Sequence, residues 1–148
     1  PVIRPSLKEE LWAKARFRPD QDWYTIEGAF YFRKGDWHYV LYSGNCYENE
    51  YYFVGYAYAH TSENDLTKIK FRKYPSDDVY KPLIAKNEFE EGTGHNSVIE
   101  HNGEFYAVYH GRDWKPKTEG YTEYRTARIC KLNVNGKEIT AERYEDRV

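Results

Sequence analysis

Glu27-Gly-Ala-Phe-Tyr-Phe-Arg-Lys-Gly35 and His95-Asn-Ser-Val-Ile-Glu-His-Asn-Gly103 read as one motif written twice. Aligned on Gly35 and Gly103 they are 68 residues apart (103 − 35), and each precedes an aromatic-rich run, Trp37–Gly44 and Phe105–Gly111. The same alignment puts Glu27 and His95 at one structural position in successive units, which points to a shared site. Repeated β-units of this kind mark a radial or stacked array.

Working outward, the alternation of Tyr, Phe, Val and Ile between turn residues predicts strands at about 26–33, 37–43, 51–60 and 68–74, then 95–101, 104–111, 124–133 and 137–144. Lys34-Gly35-Asp36 and Asn102-Gly103 have the chemistry of hairpin turns, and Asn135-Gly136 joins the last pair. The expected organisation is an N-terminal strap (1–25), a first four-stranded unit (26–74), a connector rich in Pro and Gly (75–94) and a second unit (95–148). In the strap, Ser6-Leu-Lys-Glu9 with Leu7 and Leu11 at i and i+4 allows either a short helix or an extended segment. The fold class is all-β: four-stranded antiparallel blades of a β-propeller, two in this chain. Two blades leave two apolar faces open, so self-association or missing blades are expected to cover them. A β-sandwich of about eight strands is the competing architecture, but it leaves the repeat unexplained.

Composition narrows the function. Lys and Arg total 22, Asp and Glu 24, and the net charge is −2. No basic track suits a nucleic-acid backbone, and no apolar run approaches the roughly 18 residues of a membrane helix. Neither nucleic acid nor membrane is an expected partner. Aromatic residues make up 18% of the chain; Tyr and Phe suit half-buried pleated surfaces, and their flat faces also suit sugar rings. Cys46 and Cys130 are too few for a disulfide framework and lack metal-site spacing, leaving two buried thiols or one bridge. The absence of Met leads us to expect a processed chain or a piece of a longer one. No secretion signal is visible, and the compartment stays open with a lean towards secreted or periplasmic.

Glu27 opens its strand and leads into an apolar run, where inner strands converge and partial desolvation would suit a general acid. The bland alternative is a solvated strand end. His95, within Gly92-Thr-Gly-His-Asn-Ser97, reads as a metal or water ligand, as a positive neighbour for the carboxyl, or as a hydrogen-bonded core histidine. His110, Arg112 and Arg125 are weaker signals. Arg125 could recognise hydroxyls or form a surface ion pair with Glu119 or Glu123. Trp37 offers an aromatic face beside the first turn. Asp20, Asp22 and Asp36 read as turn residues. No Ser/His/Asp motif, phosphate loop or Cys/His cluster is present.

Several of these stretches resemble glycoside hydrolase family 43, five-bladed propellers acting on arabinose- and xylose-containing polysaccharides such as arabinan and xylan. Trp12 ahead of Glu27-Gly28, the run Gly35–Ser43 ending Tyr39-Val-Leu-Tyr-Ser43, and Val54-Gly-Tyr-Ala57 are similar to its motifs. The most specific are Gly92-Thr-Gly-His-Asn-Ser-Val98 and Tyr109-His-Gly-Arg112. The resemblance covers residue 10 to the C-terminus. It implies that Glu27 is the general acid of an inverting hydrolase and that His95 is a central-channel histidine, in many members a ligand of calcium or ordered water. Arg125, with Trp37 and His110, would bind substrate. The family's general base and tuning aspartate have no counterpart before Glu27, so the chain looks like blades four and five of five. The alternative is a non-catalytic glycan-binding or assembly half-propeller.

Overall fold

The structure is a computed structural model that describes residues 1–15, 18–114 and 124–143, with the backbone alone over 12–15 and 18–22. The side chains of Trp12, Asp20 and Asp22, and residues Glu119 and Glu123, lie outside the described residues. A single 3₁₀ turn, Lys8–Glu10, leads into a two-stranded ribbon of β1 (Leu11–Ala15) and β2 (Arg18–Tyr24). Two four-stranded antiparallel sheets follow. The first contains β3 (Ile26–Lys34), β4 (Trp37–Gly44), β5 (Phe53–His60) and β6 (Arg72–Lys73), in that order. The second runs β7 (Glu90–His101), β8 (Glu104–Asp113), β9 (Thr126–Asn135) and β10 (Glu138–Glu142), again in order of sequence. Each is a meander of neighbours, as expected of a propeller blade.

The repeat is real, but its true period is one residue shorter than the glycine alignment gives. In the first hairpin Lys34 pairs with Trp37, and in the second His101 pairs with Glu104. The rungs Phe30–Leu41 and Glu27–Ser43 recur as Ser97–Val108 and Gly94–His110, an offset of 67 throughout (97 − 30, 94 − 27). Gly35 is the first residue of its turn and Gly103 the second, which shifts an alignment made on them. His95 is therefore the counterpart of Gly28, one place beyond Glu27.

One side of the first sheet packs on the opposite side of the second. Phe32, Tyr39, Leu41, Val54 and Tyr56 meet Phe105, Ala107, Tyr109, Cys130, Leu132 and Val134 in one core. Buried tyrosines of the first sheet also bond the last turn of the second: Tyr39 donates to Gly136 O (2.6 Å) and Tyr56 to Lys137 O (3.0 Å). Both faces of β4 are covered, and its burial is nearly continuous. In β8, burial alternates residue by residue, because the second sheet is covered on one face only. On its open face Ile99 is 47% and Ile129 63% exposed. At the 67-residue offset Ile99, Tyr106 and Val108 replace Phe32, Tyr39 and Leu41, so the open face is the counterpart of the first sheet's buried one. Cys46 and Cys130 are free, buried thiols.

The strap is held by charge more than by helix propensity. Glu10 is fully buried, and its carboxylate accepts from the N–H groups of Ser6 (2.7 Å) and Leu7 (2.9 Å) and from Lys73 Nζ (2.6 Å). This fastening ends the helical turn after three residues and ties the N-terminus to β6. The connector is shorter than expected: β7 begins at Glu90, which pairs with Asp113, and bulges absorb the strand around Gly92 and Gly94.

Removing one partner of a buried ion pair leaves an uncompensated charge. Lys73→Met should therefore lower the unfolding free energy by roughly 3–5 kcal/mol in a urea titration. Lys86→Met, which breaks a surface pair with Glu50, should change it by less than about 1 kcal/mol.

Candidate functional site

The site lies where β7 packs against β3, β4 and β5. Each inner strand carries a bulge containing a residue with left-handed backbone: Gly28 at φ 59° and His95 at φ 53°. Gly28 bears no strain there, whereas a left-handed histidine is uncommon and costs on the order of 1 kcal/mol or more. The two bulges touch. A Cβ on Gly28 would lie 3.4 Å from both Cα and Cγ of His95. Glu27 and His95 are thereby brought to one end of the paired sheets, and both are exposed there.

Tyr52 stands between them, fully buried. Its hydroxyl donates to Glu27 Oε1 at 2.8 Å, and its ring stacks on His110 with centroids 5.7 Å apart. The ring lies so close to β7 that a Cβ on Gly94 would sit 2.0 Å from it, which accounts for that glycine. The Ser43 hydroxyl accepts from His95 N–H at 2.6 Å. Burial, foremost, pushes the Tyr52 hydroxyl well above the ordinary tyrosine range, with Ser43 opposing and Glu27 assisting. Tyr52 therefore stays a proton donor at any working pH.

His110 pairs with Gly94 across the strand and is held neutral. Burial drives its pKa down from 6.5 to about 4, and the neighbouring Arg125, His95 and Arg112 push the same way against Glu27. Arg125 lies just ahead of β9 with its guanidinium 4.8 Å above the Tyr47 ring. Arg112 is 2% exposed and serves the scaffold: it pairs with Glu91 (3.4 Å) and donates to Tyr47 O (3.0 Å). Its guanidinium fills the space a side chain at Gly92 would need, 2.4 Å from the Cβ position.

Glu27, His95, His110 and Arg125 are thus gathered at one end, and Trp37 is not. It opens β4 opposite Lys34, six residues from Ser43 and about 20 Å away along an extended strand. Its ring stacks on His60 (4.3 Å, 16°), so it is left out of the binding set. Calcium takes six to eight oxygen ligands. Among the described residues no group of three or more His, Cys, Asp or Glu side chains could hold a metal ion. The Glu27 carboxylate, already bonded to Tyr52, and the Ser43 hydroxyl beside His95 do not fit a calcium cage.

Solved structures carry the same fold. A thermostable family-43 glycoside hydrolase is 25% identical, with a TM-score of 0.59 over 81% of this chain and 36% of its own. The two sheets share the fold of part of that family-43 glycoside hydrolase structure. An endo-1,4-beta-xylanase from Bacteroides thetaiotaomicron (24% identity, TM-score 0.62) is covered over 42% of its length by 89% of this chain. The alpha-L-arabinanase of Cellvibrio cellulosa, solved with arabinohexaose (20%, 0.61), is covered over 37% by 80% of this chain. The chain thus spans 36–42% of these family-43-like structures. No family model and no curated protein matches it.

The depressed His110 pKa sets a direction for acid stability. Between pH 6.5 and about 4 the unfolded chain binds a proton that the folded chain refuses, so stability falls as pH falls through that window. His110→Asn should flatten this part of the profile in urea titrations made at a series of pH values.

Proposed function

We propose that the two sheets are neighbouring blades of an inverting glycosidase acting on arabinose- or xylose-containing polysaccharides, with Glu27 as general acid. The observation that carries the reading is the contact of Gly28 with His95, which sets Glu27 beside a histidine at the mouth between two inner strands. In the reaction, protonated Glu27 gives its proton to the leaving glycosidic oxygen. A second carboxylate, roughly 6.5–9.5 Å away, activates water on the opposite face of the sugar. We assign that base and the tuning aspartate to further blades of a longer propeller, in which these sheets are the fourth and fifth. Arg125 and the neutral imidazole of His110 bind sugar hydroxyls beside the acid, the former braced on Tyr47.

A second reading has its own observation. The open face carrying Ile99 and Ile129 suits an assembly module that stacks on another sheet. Sedimentation velocity tests it: a compact monomer over a wide concentration range contradicts self-association.

For the hydrolase reading, the measurement is hydrolysis of aryl arabinofuranosides and xylosides by protein carrying all its blades. Glu27→Gln should lose about 10²–10⁴-fold on substrates with poor leaving groups. It should lose little on dinitrophenyl glycosides, whose leaving groups need no proton. Equal loss on both, or none on either, removes Glu27 from the acid's role.

A further inference from the structure

Tyr52 enters the site from the loop between β4 and β5, and the same loop turns two further tyrosines outward. It is built as two successive tight turns: Asn49 N–H donates to Cys46 O (2.8 Å), and Tyr52 N–H donates to Asn49 O (3.2 Å). The corners of such turns ordinarily carry Gly, Pro, Asn, Asp or Ser. Here they include Tyr47 and Tyr51, 41% and 54% exposed. Neither ring belongs to the core between the sheets. Each has a cation over it. The Arg125 guanidinium lies 4.8 Å from the centre of the Tyr47 ring, and Lys86 Nζ lies 4.6 Å from that of Tyr51. Lys86 is itself tied to Glu50 at 2.5 Å.

The loop is fixed before any ligand arrives. Asn45 Oδ1 accepts from Cys46 N–H (2.7 Å), and Asn49 Oδ1 accepts from Tyr51 N–H (2.9 Å). The second sheet holds both turns, since Arg112 donates to Tyr47 O (3.0 Å) and Gly92 N–H to Glu50 O (3.1 Å). Aromatic faces presented on a rigid backbone bind with little cost of ordering. Polar residues would make the same turns, so the exposed rings mark a binding surface.

We propose that Tyr47 and Tyr51 form a stacking platform for further sugar residues of a polysaccharide chain whose reacting residue lies at Glu27. One step of the backbone joins the two places: Tyr52 reaches the Glu27 carboxylate, and Tyr51 precedes it. Pentose rings lay their flat C–H faces on the tyrosines, and their hydroxyls meet the charged rim of Lys86, Glu50 and Arg125. An oligosaccharide is then gripped at several rings and a single sugar at one, so the site selects chains over simple glycosides. For its sugar class the platform rests on the hydrolase reading above.

The test is NMR titration of the 148-residue chain with arabinohexaose and xylohexaose. Tyr51→Ala should weaken binding of the preferred hexaose roughly tenfold or more, as for loss of an aromatic anchor. Tyr51→Phe keeps the ring face and should retain the affinity. Tyr106→Ala, which removes a tyrosine from the open face, should not change it. Equal hexaose affinity in wild type and Tyr51→Ala overturns the platform, as does a wild-type chain that binds neither hexaose.

In protein carrying all its blades, Tyr51→Ala should raise KM for the hexaose roughly tenfold more than KM for aryl glycosides. An equal rise on both overturns the selection of chains and leaves the hydrolase reading standing. Wild-type protein inactive on every glycoside removes the hydrolase reading, while hexaose binding that depends on Tyr51 would still uphold the platform.

Discussion

The close approach of β3 and β7 is the constraint on which the rest of the site depends. Two antiparallel hairpins can present their inner strands to each other only if each strand bends away from its own ladder at the point of contact. The bulges after Glu27 and Gly94 supply that bend. They occupy equivalent places in the repeat, and in each a left-handed residue makes the turn. One is a glycine that leaves room, and the other is the histidine that fills it. The strain at His95 is offset where it arises, by a backbone N–H bonded to a buried serine.

A second consequence of the repeat is translational. The first sheet offers one face to the second, and the second offers the equivalent face to solvent. Where Phe32, Tyr39 and Leu41 lie in the core, Ile99, Tyr106 and Val108 are half-buried or exposed. A stack that uses one interface twice would cover that face with another sheet of the same kind. The strap meets the corresponding need on the other side of the first sheet. There the Glu10–Lys73 pair, with both side chains at most 1% exposed, fastens residues 6–10 over the ends of β4 and β6.

Much of this was legible in the sequence, for identifiable reasons. Turn chemistry at Gly35-Asp36 and Asn102-Gly103 located the hairpins, and the doubled motif gave both the propeller-like order and the pairing of Glu27 with His95. The error of one residue in the period came from aligning two glycines that occupy different places in their turns. The ribbon of β1 and β2 was not legible, because Leu7 and Leu11 fit a helical spacing and the buried bonds of Glu10 that stop the helix are long-range. Tyr52 was hidden among 16 tyrosines; its role depends on contacts with residues 25 and 58 positions away (52 − 27, 110 − 52). Trp37 looked like a sugar platform by residue type alone, and only the strand register placed it at the far end. Residue type carries chemistry, but register decides which residues share a site.

The central proposal is that a sugar site is built jointly by the two sheets where Gly28 meets His95. It is tested most directly by adding arabino- and xylo-oligosaccharides to the protein and following Glu27, His95, His110 and Arg125 by NMR. The account predicts that resonances from both sheets move together with one affinity, while Ile99 and Ile129 on the open face stay still. Saturating sugar that moves none of the four, or moves residues of one sheet alone, would contradict it.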